Sequence, residues 1–217
     1  MTLPLEQIPE HALEQIPPPD LLLPSAGGDG NDVVLSRLQR RLAAAAADTG
    51  ILDVAYTVIN TPVGELLLAA TPAGLVRVAF ACEDHDAVLG NLAARISPRI
   101  LKAPGRLQAA ADQVGEYFAG TRRAFDLPLD LRLTAGFRRV IVERLPDIRY
   151  GSTASYSALA ALAGNPGAVR AVGTACALNP LPVVVPCHRV VRSDGTTGNY
   201  RGGPVAKRLL LDLEAAA

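Results

Sequence analysis

The sequence predicts an α/β domain followed by an all-helical domain that contains a helix-turn-helix. Two observations predict this order. Three strand-like runs separated by short turns lie between residues 52 and 80, and helix-forming stretches dominate from about residue 134 onwards. The composition, with 49% hydrophobic and 19% charged residues, is typical of folded proteins and excludes a disordered chain.

No pattern in the sequence points to a membrane or to secretion. The apolar runs are shorter than the roughly 18 to 20 residues that span a bilayer. The first twenty residues carry acids and prolines where a signal peptide has basic and then apolar residues. The three cysteines cannot all pair within one chain. We therefore expect a cytoplasmic protein with free thiols.

Residues 1–50 are predicted to be an N-terminal extension. Pro17-Pro18-Pro19 and the stretch "PSAGGDGND" have the composition of linkers. A helix is predicted over residues 32–47, with Asn31 or Asp32 as its cap. Its apolar positions are Val33, Leu35, Leu38 and Leu42. This segment contains no pattern that indicates chemistry.

Residues 51–132 are predicted to form the α/β domain. The runs "LDVAYTVIN", "GELLLAA" and "GLVRVAF" are separated by the turn sequences "TPVG" and "TPAG", which predicts an antiparallel meander. Helices are expected at about 84–96 and 106–119. The stretch "FDLPLDL" that follows is expected to be extended.

Residues 133–217 are predicted to form the helical domain. One helix is expected over 137–145 and a second from Ser155 to Gly164. A third would begin with Asn165 as its N-cap and Pro166 in its first turn. A helix pair joined by a short Gly-Asn-Pro turn is a candidate helix-turn-helix, whose second helix enters a groove of DNA.

The charges of the chain are divided unevenly between its two parts. Residues 1–135 hold eleven basic and sixteen acidic residues, whereas residues 136–217 hold ten basic and five acidic residues. An acidic part followed by a basic part suggests that only the second meets a polyanion. A chance distribution over a solvated surface remains the alternative on charge alone.

The stretch "LPVVVPCHRVV" carries the strongest candidate for chemistry, Cys187 next to His188. Its three valines predict a buried strand that Pro186 would stop. Four interpretations of the pair are open: a buried structural thiol, a metal site, a thiol hydrolase, and a cysteine nucleophile assisted by His188 through a water. Basic neighbours such as Arg189 would favour the thiolate, and Glu214 is the acid expected to orient His188.

Three stretches decide between these interpretations. "PCHRVVRSDGTTGNYRGG", together with the upstream "SYSALAALAGNPGAVRAVG" and "NPLPVV", resembles the O6-alkylguanine-DNA alkyltransferases, also called methylated-DNA–protein-cysteine methyltransferases. The resemblance is dense over about eighty C-terminal residues. The run "TPVGELLLAATPAGLVRVAF" resembles the N-terminal domain of that family more loosely. The resemblance implies a ribonuclease-H-like first domain and a winged-helix-like second domain.

The resemblance also implies catalytic roles at matching positions. Cys187 would accept the alkyl group, and His188 with Glu214 would form a relay that keeps the cysteine ionised. Asn179 would brace the active-site turn after the recognition helix. No cofactor and no metal are implied, since the cysteines that bind zinc in some family members are missing here.

Further positions would contact DNA and the damaged base. Arg170 would enter the duplex in place of the extruded nucleotide, because an alkyl group on guanine O6 can be reached only when the base leaves the stack. Tyr156 would press on the DNA backbone and contact the flipped base. The pocket for the base and its alkyl group would be lined by Tyr200, Val190, Gly198 and Pro182.

The function implied is the direct, one-time transfer of an alkyl group from O6-alkylguanine, and also O4-alkylthymine, in double-stranded DNA to Cys187. The protein would act as a monomer. The alternative is an alkyltransferase-like protein that binds the lesion without repairing it. Such proteins lack the nucleophile, so the presence of Cys187 argues against that alternative.

Overall fold

A computed structural model describes residues 50–216 and, before them, positions 34–35, 37–38, 41–42 and 45. These earlier positions are helical, within the range where a helix is predicted. The predicted linker, the caps of that helix and the rest of its length lie outside the described residues.

A four-stranded sheet forms the centre of the first domain. Its strands are β1 (Val54–Thr61), β2 (Gly64–Thr71), β3 (Gly74–Phe80) and β4 (Ile100–Lys102), in the order β3-β2-β1-β4. The first three strands pair antiparallel and β4 pairs parallel with β1. The meander predicted from the two turn sequences is confirmed. The short β4 has no counterpart in the prediction.

Two helices cover the two faces of this sheet. Helix α1 (His85–Arg95), capped by the side chain of Asp84, packs Val88 and Leu92 on one face. Helix α2 (Gln108–Phe118) packs on the other face, in a core that continues into the second domain. The "FDLPLDL" stretch is extended, as predicted: its backbone lies along β3, with Leu75 N donating to Pro128 O over 2.8 Å.

The second domain is helical with one short two-stranded sheet. It contains α3 (Gly136–Arg144), β5 (Ala154–Ser155), α4 (Tyr156–Leu162), α5 (Val169–Ala177), β6 (Val190–Val191) and α6 (Gly203–Ala215). Strands β5 and β6 pair parallel. Helices α4 and α5 form the predicted pair. Among the residues described, no helix is long and apolar enough to cross a membrane.

The predicted start of α5 is wrong by three residues. Gly164, with a φ of 76°, ends α4, and the backbone N–H of Asn165 bonds back to Ala160 O over 3.0 Å. This is the hydrogen-bond pattern of a Schellman motif, so Asn165 still belongs to the end of α4 and cannot cap the next helix. Helix α5 therefore begins at Val169 after one further turn.

The predicted strand over Val183–Val185 is also wrong, although these valines are buried as expected. The segment is a compact turn in which Val183 has a φ of 73° and Val185 N donates to Leu181 O over 2.7 Å. The prolines at 180, 182 and 186 lack the N–H groups that a strand ladder needs.

Candidate active site

Asn179 shapes the turn that carries the cysteine. Its Oδ1 accepts from Leu181 N over 3.0 Å, and its Nδ2 donates to Val185 O over 2.9 Å. These two bonds replace the missing strand pairing and fix both ends of the turn. One turn of 3₁₀ helix over Cys187–Arg189 follows directly and places Cys187 at the floor of the site.

Cys187 is almost sealed from solvent, with only 3% of its surface exposed. Burial raises the pKa of its thiol to about 11, although a hydrogen bond from Asn179 and the charge of Lys207 oppose the shift. The resting site therefore holds a protonated thiol. Because a thiolate is the reactive form, the site needs a group that takes this proton when the reaction begins.

The position and the protonation state of His188 suit it to take the proton of the Cys187 thiol. It is fully buried, and burial lowers its pKa even though Glu214 opposes that shift, so the imidazole is neutral near pH 7. Its Nε2 lies 2.8 Å from Glu214 Oε1. An ionised carboxylate only accepts, so Nε2 carries the proton. Nδ1 is then a lone pair, buried and without a partner among the residues described.

Glu214 accepts hydrogen bonds from residues of both domains. Arg189 donates to it from Nε and from Nη2, each over 2.9 Å, and the backbone N–H of Gly151 donates over 3.2 Å. Tyr117, on α2 of the first domain, donates its hydroxyl over 2.8 Å. Burial alone raises the pKa of Glu214, but the hydrogen bonds from His188 and Arg189 outweigh it and lower the pKa to about 2.

Sequence reasoning missed Tyr117 and Lys207. Lys207 is fully buried and its ammonium donates to the carbonyl of Val190 over 2.7 Å and to that of Thr197. Its charge opposes the rise in the pKa of Cys187. The signal for Lys207 was present, since it lies on the same face of α6 as Glu214, seven residues away. Nothing local marks Tyr117, whose partner is 97 residues distant.

Arg189, suggested by the sequence as the charge that favours the thiolate, has a different position. Its guanidinium is committed to Glu214 and to the carbonyl of Ile148, 2.7 Å from Nη1. It balances the buried carboxylate and fixes its orientation. Lys207 and, to a smaller extent, Arg201 are the cations whose charge lowers the pKa of Cys187.

Two of the predicted pocket residues, Tyr156 and Tyr200, lie close enough to Cys187 for its charge to affect their pKa values. Tyr156 begins α4 and is half-buried, and a Cβ at Gly198 would lie 2.9 Å from its hydroxyl, so only glycine fits beside it. The ring of Tyr200 packs edge-on against His188, and its hydroxyl is buried without a partner among the described residues. Val190 and Pro182 are also buried. Burial is the main cause that raises the pKa of Tyr200, and the negative charge that Cys187 carries when ionised is the second cause.

Arg170 lies apart from this cluster, on the outer face of α5. It is exposed, and its guanidinium has no partner within the described part of the chain. The inner face of α5 packs Val172, Ala175 and Cys176 into the core. Burial raises the pKa of Cys176 even further than that of Cys187, so Cys176 is a packing residue. The described residues contain no group of three potential metal ligands.

An α/β sheet domain, a helix pair of the helix-turn-helix kind and a buried Cys-His-Glu cluster are the features expected of a DNA-binding protein with a thiol in its site. Comparisons with known proteins agree. Residues 54–131 match the family model described as the 6-O-methylguanine DNA methyltransferase, ribonuclease-like domain, and residues 136–216 match its DNA binding domain.

Individual relatives give the same result. The methylated-DNA–protein-cysteine methyltransferase of Mycobacterium tuberculosis is 39% identical over 167 residues, covering 73% of this chain and 91% of the relative. The constitutive enzyme of Bacillus subtilis is 37% identical over 163 residues, covering 73% of this chain and 94% of that one. The crystal structure of the M. tuberculosis protein in complex with DNA matches with a TM-score of 0.64 at 36% identity, covering 75% of this chain and 93% of that one. The chain therefore belongs to the 6-O-methylguanine DNA methyltransferase family, which confirms the resemblance and the fold class predicted from the sequence.

Proposed function

We propose that this chain repairs DNA by transferring the alkyl group of O6-alkylguanine, and also of O4-alkylthymine, to its own Cys187. The observation that carries the proposal is the state of the buried relay. His188 is neutral, its Nε2–H is held by an ionised Glu214, and its Nδ1 lone pair is unused. A neutral imidazole with one free lone pair is a general base ready to take a thiol proton.

The transfer is a single displacement. The proton of Cys187 moves to His188 Nδ1 through a water, and the sulfur attacks the alkyl carbon. A sulfur–carbon bond forms as the bond from carbon to guanine O6 breaks, and the electron pair of that bond stays with the guanine. The proton released by the thiol balances the charge of the leaving base. Nothing is oxidised or reduced, and the step needs no cofactor.

The positive charges of the site act mainly when the thiol loses its proton. In the resting state burial keeps the pKa of Cys187 at about 11. As negative charge develops on sulfur, Lys207 and the hydrogen bond from Asn179 stabilise it in a site without bulk water. Arg189 and Glu214 neutralise each other and therefore keep the imidazole oriented without adding net charge.

Arg170 and Tyr156 are proposed to act on DNA. The free guanidinium of Arg170 on the exposed face of α5 is available to fill the gap that a flipped base leaves, which offsets part of the few kcal/mol that extrusion costs. Tyr156, which lies beside Gly198, is proposed to press on the DNA backbone and contact the flipped base. The pocket for that base is proposed to be lined by Tyr200, Gly198, Val190 and Pro182. We further propose that the protein acts as a monomer in the cytoplasm.

Intact mass after exposure to DNA tests this function. Excess duplex with O6-methylguanine should add one methyl group per protein molecule, and peptide mapping should find it on Cys187. Cys187→Ser should bind the same duplex and gain no mass, because a hydroxyl is a much weaker nucleophile. Binding of the wild-type protein without any gain in mass would instead favour the lesion-binding alternative, and turnover beyond one methyl would exclude self-alkylation.

A further inference from the structure

A cavity of about 340 Å³ lies where the first domain meets the second, and four arginines are part of its lining. Arg77 is on β3, Arg95 ends α1, Arg138 is in the first turn of α3, and Arg201 lies shortly before α6. Among the residues that the structure describes, Glu83 is the single acidic one in this lining. The walls of the cavity therefore carry three more positive than negative charges.

The charge of this cavity is not balanced from within. Glu83 accepts from Arg77 and, over 2.7 Å, from Arg201 Nη1, so one carboxylate serves two guanidinium groups. Burial lowers the pKa of Arg77, Glu83 opposes that shift, and the nearby charge of Arg201 adds to it. Arg95 and Arg138 are exposed and have no hydrogen bond or ion pair with any residue that the structure describes.

The cavity adjoins the helix that is expected to enter DNA. Leu178, which caps the C-terminal end of α5, forms part of the lining. Arg170 lies eight residues before it, which corresponds to about 12 Å along a helix. Pro180 also lines the cavity, and its carbonyl accepts from Val78 N over 2.8 Å, so the end of the recognition helix is joined to the edge of the first domain's sheet.

We propose that this arginine cavity binds a backbone phosphate of the same duplex whose lesion lies at Cys187, so that the ribonuclease-like domain takes part in DNA binding. The inference rests on the proposed function. Guanidinium groups suit phosphate because their N–H groups pair with two of its oxygens at once. No aromatic side chain lines the cavity, so it offers nothing on which the base of a free nucleotide could stack.

Salt dependence of binding to an undamaged duplex tests the proposal. The double variant Arg95→Ala and Arg138→Ala should lower the steepness of log K against log salt by about 0.9 for each phosphate that is no longer neutralised. Arg106→Ala is the matched control, since Arg106 is an exposed arginine of the same domain beside α2, on the opposite face of the sheet from α1, and has no partner among the described residues. The single variant Arg138→Lys, which keeps both positive charges, should have nearly the wild-type slope of log K against log salt.

Duplex length provides a second measurement. Arg170 and Leu178, which lines the cavity, are separated by about 12 Å along the helix axis, and this length corresponds to about three to four base pairs of duplex. Shortening the duplex from one side of the lesion should therefore remove the difference between wild type and the double variant once fewer base pairs than this remain. Shortening from the other side should leave the difference in place.

Three results would overturn the inference. One is a salt slope of the double variant equal to that of Arg106→Ala. Another is an equal loss in reaction with a free alkylated guanine base, which would show that the arginines support the active site. The third is that inorganic phosphate at constant ionic strength binds the wild-type protein, but not the double variant, and leaves the affinity for duplex unchanged, which would indicate a free-anion site. Failure of the proposed function is separate, since wild-type protein would then bind DNA and gain no methyl group.

Discussion

Removing a single hydroxyl from the first domain should weaken both the fold and the relay. In Tyr117→Phe the ring keeps its packing against Phe118 and Phe125, with centroids 5.3 and 5.4 Å away. The substitution removes the bond from the hydroxyl to Glu214 and the longer contact, 3.4 Å, between the hydroxyl and His188 Nε2. Burial and the adjacent carboxylate raise the pKa of Tyr117, so the phenol keeps its proton and acts purely as a donor.

The expected loss follows from the charge of the acceptor. A hydrogen bond to an ionised partner contributes about 1.5–3 kcal/mol, and Glu214 would keep its bonds to His188, Arg189 and Gly151. The free energy of unfolding should therefore fall by about 1.5–3 kcal/mol. The pKa of Glu214 should rise but stay well below 7, so that alkyl transfer at neutral pH slows only modestly.

Urea denaturation of Tyr117→Phe and Tyr150→Phe measures this effect against a matched control. The hydroxyl of Tyr150 is buried and has no partner among the described residues, so its removal should leave stability unchanged or raise it. The bond would be confirmed if Tyr117→Phe, but not Tyr150→Phe, unfolds at a lower urea concentration while the dependence of the unfolding free energy on urea stays the same. Equal stability of the two variants, within about 0.5 kcal/mol, would refute the reasoning.

Three further predictions concern the relay and the DNA contact. His188→Ala should shift the pH profile of alkyl transfer from a free base upward, towards the pKa of about 11 of Cys187, and an unchanged profile would assign the base elsewhere. Arg170→Ala should slow repair of a duplex roughly 5- to 150-fold, corresponding to about 1–3 kcal/mol of missing wedge stabilisation, and slow reaction with a free base far less. The pKa of Glu214 falls from 4.5 to about 2 on folding, so its stabilisation is complete above about pH 4.5 and disappears as the pH falls towards 2. Glu214→Gln should lose this acid transition and be less stable near pH 7 by about 3–5 kcal/mol, because the charge of Arg189 is left buried without a partner; acid and urea titrations of both proteins would show whether it does.

What could be predicted from the sequence depended on local signals. The meander followed from alternating apolar runs and from turn sequences containing glycine, and these signals do not depend on the rest of the fold. The strand prediction for Val183–Val185 was wrong because the periodicity of apolar residues cannot distinguish a buried strand from a buried turn. The side chain of Asn179 closes the turn, and no local rule indicates that it replaces a strand partner.

The residues of the candidate site likewise include some that local sequence signals indicate and others that they do not. Cys187 and His188 are adjacent, and their surroundings form a recognisable motif. Glu214 could be chosen because it is an acid in a C-terminal helix that is mostly apolar. The donors that set its pKa could not be predicted, because Tyr117 and Gly151 reach it from separate elements whose positions only the folded chain determines.

The burial of Cys187 also bears on how long the protein remains usable. A thiol that is consumed in one reaction is lost equally well to an oxidant, and oxidation of cysteine follows thiolate character and exposure. Cys187 is 3% exposed with a raised pKa, whereas Cys82 is exposed at the surface. Peroxide in the cell therefore meets Cys82 first. The closed pocket keeps an unspent molecule chemically intact through the interval between its synthesis and its encounter with damage.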